Sequence, residues 1–132
     1  MSFKWSRSSL RRISTVNPVL QEWAHRLIKE MPLDITIPWM GGVRTRDEQR
    51  DLVNRGVSKT MNSKHLTGHA LDVVPYRLGG PDYEYKEGFT AINQVGKRVW
   101  DEMRLEGLND GYRLLNGFDL WGWDKPHWMI VK

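Results

Sequence analysis

The order of periodic segments predicts an α+β fold: a small antiparallel sheet with helices packed to one side. Three observations carry that expectation. Two stretches, Pro18 to about Met31 and Phe89 to Glu106, repeat their apolar residues at helical spacing. Short runs at Leu33–Ile37, Leu71–Val74 and His127–Val131 are apolar or alternate with the period of a strand. Gly and Pro punctuate the chain between these segments, and there is no internal repeat, low-complexity tract or linker.

Residues 1–16 carry Arg7, Arg11 and Arg12 with little periodicity and read as an arm or a short leading turn. Asn17-Pro18 is a helix start, with Asn17 as N-cap and Pro18 at the first helical position. The stripe Leu20, Trp23, Ala24, Leu27 and Ile28 follows until Pro32 ends it, and His25 lies off the stripe as a surface residue. Leu33, Ile35 and Ile37 then alternate with polar residues, and Pro38 puts that strand at an edge or stops it early. Thr45-Arg46-Asp47-Glu48 is a capping-box signature, so a short helix runs to about Arg55 with Gly56 as its stop. Residues 57–64 are polar and turn-like, and Leu71-Asp72-Val73-Val74 reads as one short buried strand. Residues 75–88, with three tyrosines, form a loop that lines or covers a cleft. The longest helix is expected over Phe89–Glu106, capped by Gly107, with two or more short strands after it.

At 132 residues the chain is expected to be one domain, 1–132, with a real hydrophobic core. It has no cysteine, which excludes disulfides and thiolate ligands and leaves nitrogen and oxygen to hold any metal. Met1 to Arg12 lacks the apolar core of a secretory signal, and no run approaches the ~18 apolar residues of a membrane span. The expected product is made in the cytoplasm, with no stable membrane insertion. A net charge of +4 and a pI near 9.5 suit an anionic partner such as nucleic acid, an envelope polymer or acidic lipid. The charges are scattered, which suits a solvated surface equally well.

One residue breaks the apolar logic. Asp72 lies inside a buried strand, where an unpaired carboxylate is costly. A metal ion would remove that cost, and so would a hydrogen bond from a neighbouring arginine. His65, on the loop entering the strand, and His127, at the start of the last strand, could join Asp72 as three zinc ligands with the fourth position open to water. Zinc would lower that water's pKa towards ~7. Asp124, on the turn before His127, could take the proton and pass it to a leaving amine. Arg44, just before a helix start, could stabilise an oxyanion or clamp a substrate carboxylate, or be one more surface arginine. His69 could ligate only if residues 65–69 were helical, and a strand following so soon argues against that. His65 and His127 could also be hydrogen-bonded core histidines, and Asp72 an ion-pair partner.

The same residues carry a resemblance. Ser63-x-His65-x-x-Gly68-x-Ala70-x-Asp72 followed by Asp124-x-x-His127 resembles the zinc D,D-/L,D-peptidase family that cleaves bacterial cell-wall peptides. Gly42-Val43-Arg44-Thr45 looks like that family's substrate-arginine segment. Met1-Ser2-Phe3-Lys4 and the run from Lys64-His65 to Val74-Pro75-Tyr76 look most like the phage L-alanyl-D-glutamate endopeptidases, or endolysins. The resemblance spans most of the chain and leaves no room for a separate wall-binding domain. It implies the Hedgehog/D-Ala-D-Ala peptidase fold and one catalytic Zn2+ on His65, Asp72 and His127. It further implies Asp124 as acid/base, Arg44 as the group polarising the scissile carbonyl or holding substrate, and Ser63 as a substrate contact or loop brace. His69 falls on a variable position. Many members carry glutamate where this chain has the shorter Asp124.

The resulting expectation is a zinc endopeptidase acting on peptidoglycan stems at the L-Ala–D-Glu bond during phage lysis. It would act as a monomer in the periplasm after a separate membrane-permeabilising protein opens the way. A D-Ala-D-Ala carboxypeptidase or dipeptidase is the alternative within the same chemistry. A non-catalytic wall-binding module with structural zinc, stacking glycan on some of its seven tryptophans, is the alternative from another class. A nucleic-acid-binding domain has charge in its favour but no motif, and nucleic acid is not an expected partner.

Overall fold

The computed structural model describes residues 2–132. Met1, the first residue of the stretch read as an arm, lies outside the described residues. That stretch is partly helical. Ser6 caps α1 (Arg7–Ile13) by accepting from the Ser9 N–H at 3.2 Å. Seven residues that bury only Ser9 and Ile13 are too few for a helical period to show. The anchors of α1 are largely polar: the buried Ser9 hydroxyl accepts from the Ile37 N–H at 3.0 Å, and Arg12 Nη1 donates to the Ile37 carbonyl at 2.8 Å.

Helix α2 (Pro18–Glu30) starts as its sequence dictates, with the Asn17 side chain accepting from the Val19 N–H at 2.9 Å and Pro18 in the first turn. Its expected stripe is buried in full, and His25 is exposed. Strand β1 (Ile35–Thr36) is shorter than the alternation suggests and lies at a sheet edge. Helix α3 (Arg46–Asn54) opens with both halves of the Thr45–Glu48 capping box. Gly56, just past its end, has φ +74°.

The apolar run at residues 71–74 is divided between two strands. Strand β2 (Ala70–Asp72) joins one sheet and β3 (Val74–Arg77) another, while the Val73 N–H between them bonds to the Pro126 carbonyl at 2.9 Å. Both sides of the break are equally apolar, so periodicity cannot reveal it. The loop expected over 75–88 contains a hairpin, in which β3 turns through Leu78 (φ 57°) and Gly79 (φ 86°) into β4 (Gly80–Pro81). Two successive positive φ angles suit the right-handed twist of a two-residue hairpin turn.

Helix α4 (Lys86–Leu105) is the longest and begins three residues before the first periodic apolar position. Strand β5 (Arg113–Asn116), the short helix α5 (Gly117–Trp121) and β6 (His127–Val131) complete the chain. The small antiparallel sheet is thus two three-stranded sheets, ordered β1-β3-β4 and β2-β6-β5.

One hydrophobic core extends from Trp5 to Ile130. At its centre the Trp23 and Trp128 rings lie 5.0 Å apart, and Trp23 Nε1 donates to the Gly96 carbonyl of α4 at 2.9 Å. Trp128 sits on β6 beside His127, so this contact fixes the strand that carries a site residue from behind. Trp23→Ala should destabilise the fold by about 3–5 kcal/mol, the usual cost of emptying a buried aromatic site. Urea unfolding of the two proteins measures the difference directly.

Candidate metal centre

His65 is placed by a 3-10 turn, Lys64–Thr67. The Ser63 hydroxyl accepts from the His65 N–H at 3.1 Å, and Gly68 ends the turn at φ +77°, a conformation open to residues without a Cβ. Asp72 ends β2, and the antiparallel register sets it directly opposite His127, the first residue of β6. One potential ligand atom from each of His65, Asp72 and His127 lies within 4.8 Å of the other two. His65 Nε2 is 3.1 Å from Asp72 Oδ1, and His127 Nδ1 is 3.5 Å from the same oxygen.

The tautomer of His65 gives this geometry its meaning. Nδ1 lies 2.9 Å from the Gly42 carbonyl, which can only accept, so Nδ1 carries the hydrogen. A neutral His65 then turns the lone pair of Nε2 towards a carboxylate oxygen, which is also an acceptor. That contact is favourable only with a proton or another cation between the two atoms. An imidazole oriented by a carbonyl behind it is the usual support of a metal ligand. His65, Asp72 and His127 could therefore hold a metal ion, with two nitrogen donors and one oxygen donor.

Charge acts in the same direction. Burial opposes ionisation of Asp72, but the charge of a protonated His65, followed by hydrogen bonding from His127 and His65 and the charge of a protonated His127, would outweigh it. Together they would hold the carboxyl well below its usual range. Arg44 adds to the support: Nη2 donates to Asp72 Oδ2 at 3.1 Å, Nε to the Met40 carbonyl at 2.8 Å and Nη1 to Gln49 Oε1 at 3.0 Å. Both remedies for the buried Asp72 are thus present, an arginine on one oxygen and a possible cation site on the other.

Asp124 lies on the turn leading into β6, where the His127 N–H bonds back to the Asp124 carbonyl at 3.2 Å. Burial, and then the negative charge of Asp72, push its carboxyl above the ordinary value, against the pull of His127, His65 and Arg44. Two residues that the sequence did not single out hold this turn. Asn116 caps α5 with its side-chain oxygen, and its Nδ2 donates to the carbonyls of Lys125 and His127 at 3.2 and 3.1 Å. Gly117 packs against Asp124 so closely that a Cβ there would collide with the Asp124 carbonyl oxygen and lie 2.9 Å from Asp124 Cβ and 3.1 Å from His127 Cβ. An Asn-Gly pair is the signal that could have marked this cap.

Arg44, His65, Asp72, Asp124 and His127 face a cleft of about 780 Å³, also lined by Ser63, Trp39, Tyr83, Trp121 and Trp123. Tyr83 brings the expected tyrosine loop to the cleft, and burial followed by the Asp72 charge pushes its phenol up. Trp121 lies 5.5 Å from the His127 ring, whereas Trp128 belongs to the core. His69 points away to Thr67 Oγ1 at 2.8 Å and the Tyr112 hydroxyl at 3.4 Å. Gly117→Ala should displace Asp124 and His127 together, costing about 1–3 kcal/mol of stability by overpacking. Urea unfolding and titration with a divalent metal ion check this, the expected outcome being a lower unfolding midpoint and weaker metal binding.

The chain matches the family model described as phage L-alanyl-D-glutamate peptidase over residues 1–109. It is 33% identical over 109 residues to the L-alanyl-D-glutamate peptidase of Escherichia phage T5, covering 80% of this chain and 78% of that protein. The crystal structure of the Serratia marcescens L-Ala D-Glu endopeptidase ChiX superposes with a TM-score of 0.79 at 25% identity, covering 97% of this chain and 90% of that one. Asp124 and His127 lie beyond the family match, and the structural likeness extends over nearly the whole chain. The chain belongs to the phage L-alanyl-D-glutamate peptidase family.

Proposed function

We propose that this chain is a zinc endopeptidase that hydrolyses the L-Ala–D-Glu bond in the peptide stems of bacterial peptidoglycan, in the lysis of a phage host. The observation that carries the metal reading is the convergence of His65 Nε2 and His127 Nδ1 on Asp72 Oδ1, with His65 Nδ1 committed to the Gly42 carbonyl. Two imidazoles, one carboxylate and no thiolate make a donor set that suits a single catalytic zinc with an open position. The bond is taken from the family and from the printed activities of the relatives.

When bound, zinc supplies Lewis acidity, lowering the pKa of a water in the open position towards ~7 and polarising the scissile carbonyl. The remaining steps fall to the chain's own groups. Asp124, whose carboxyl is pushed above its ordinary value by burial and the Asp72 charge, takes a proton from the attacking water and delivers it to the departing D-Glu amine. Arg44 keeps Asp72 oriented through Nη2, and its remaining N–H groups are assigned to the developing oxyanion or a substrate carboxylate. Ser63 braces the His65 turn and can offer its O–H to substrate from the cleft wall.

Residues 1–132 are read as one catalytic domain acting as a monomer, because every assigned group comes from one chain and faces one cleft. Among the described residues no helix is long and apolar enough to cross a membrane. Passage to the wall through a separate membrane-permeabilising protein belongs to this reading.

Digestion of purified peptidoglycan, followed by mass spectrometry, tests the assignment. New N-terminal D-Glu ends are expected; they should vanish on chelation and return with Zn2+. Release of D-Ala instead would make the protein a carboxypeptidase. Asp124→Asn should retain stoichiometric zinc and lose about 10²–10⁴-fold in kcat, the usual contribution of a general acid/base. Loss of zinc along with activity would give Asp124 a structural role.

A further inference from the structure

The buried amide of Gln49 has no place in the chemistry above, yet it connects two parts of the cleft. Gln49 is completely buried in α3, a helix whose exposed positions are mostly charged. Its Oε1 accepts from Arg44 Nη1 at 3.0 Å, and its Nε2 donates to Ser58 Oγ at 2.8 Å and to the Thr60 carbonyl at 2.6 Å. The amide orientation follows from the partners: a guanidinium only donates and a carbonyl only accepts. Both side-chain N–H groups and the oxygen are therefore used.

A guanidinium is a rigid planar fork, so fixing two of its corners fixes the third. Met40 holds Nε and Gln49 holds Nη1, which leaves Nη2 aimed at Asp72 Oδ2. With Oδ2 occupied, Asp72 presents Oδ1 to His65 and His127. We infer that Gln49 is a positioning residue for the metal centre: by locking the Arg44 guanidinium it restricts Asp72 to ligation through Oδ1. The inference rests on the metal-site reading proposed above. The bonds to Ser58 and Thr60 hold the cleft-wall segment to the same amide.

The test is a Zn2+ affinity measurement by competition with a chromophoric chelator, with the melting temperature of each metal-free protein recorded alongside. Arg44→Met should weaken Zn2+ binding about 10–100-fold, the range for losing a group that supports a metal ligand. Gln49→Met should weaken it on the order of tenfold. The Arg44→Met/Gln49→Met double variant should bind no worse than Arg44→Met, because Gln49 acts through Arg44. Gln49→Glu keeps an acceptor for Arg44 and loses both donors, so its affinity should stay within a few-fold of wild type. This variant also serves if Gln49→Met does not fold. Ser58→Ala, which breaks a wall contact alone, should leave affinity unchanged.

A lower melting temperature with unchanged Zn2+ affinity in Gln49→Met would overturn the inference and leave a structural role. So would additive losses in the double variant, a loss in Gln49→Glu as large as that in Arg44→Met, or a Ser58→Ala loss matching that of Gln49→Met. A folded wild-type protein that binds no Zn2+ would overturn the metal-site reading, and this inference with it.

Discussion

The half-buried carboxylate of Asp72 is the constraint on which the site depends. A carboxylate withdrawn from water must be compensated: Arg44 donates to Oδ2, and His65 and His127 approach Oδ1, where a proton or metal ion completes the contact, while the Gly41 carbonyl anchors the Asp72 backbone by accepting its N–H at 2.9 Å. Each neighbour is itself tied down. His65 is held by Gly42, Arg44 by Met40 and Gln49, and His127 by the pairing of β6 with β2. Bonds outside the cluster thus orient each of the three groups that meet at Asp72.

The fold serves this constraint through a break in a strand. At Val73 the chain leaves the β2-β6-β5 sheet and enters the β1-β3-β4 sheet, so Asp72 sits at the end of a strand. A residue in mid-strand would have ladder-paired residues before and after it, whereas β2 stops at Asp72. At the end it can face a cleft while its backbone stays bonded. Behind it, Trp128 of β6 packs on Trp23, so the two largest fully buried side chains support the strand that carries His127. The cleft-facing tryptophans take no part in that packing; Trp39 is 65% exposed, against 1% for Trp128.

What was legible in the sequence was mostly local. The caps at Asn17 and Thr45 and the stops at Gly56 and Gly107 depend on bonds or angles within a few residues, and each occurs where it was expected. The stripes of α2 and α4 are long enough for their period to stand out. Helices α1 and α5, at seven and five residues, are not, and their anchoring bonds run to distant parts of the chain. Nothing in the local sequence singles out Gln49: its chain neighbours Glu48 and Arg50 are charged, while the partners of its buried amide lie 5 to 11 residues away.

The inventory was already present in the chain: an α+β pattern without thiols, two histidines and an aspartate in a recognisable order, and a second aspartate three residues before the last histidine. Composition and spacing are properties of the chain, and no folding alters them. Which of those groups meet was settled by folding. It set Asp72 opposite His127 by strand register, turned His69 away to Tyr112, and gave Arg44 to Asp72 by way of Gln49. The physical reason is that a contact between residues 28 or 55 positions apart, such as Arg44–Asp72 or Asp72–His127, leaves no trace in local spacing. It exists because the pairing of β2 with β6 sets Asp72 opposite His127 and the fold brings Arg44 to Asp72 Oδ2.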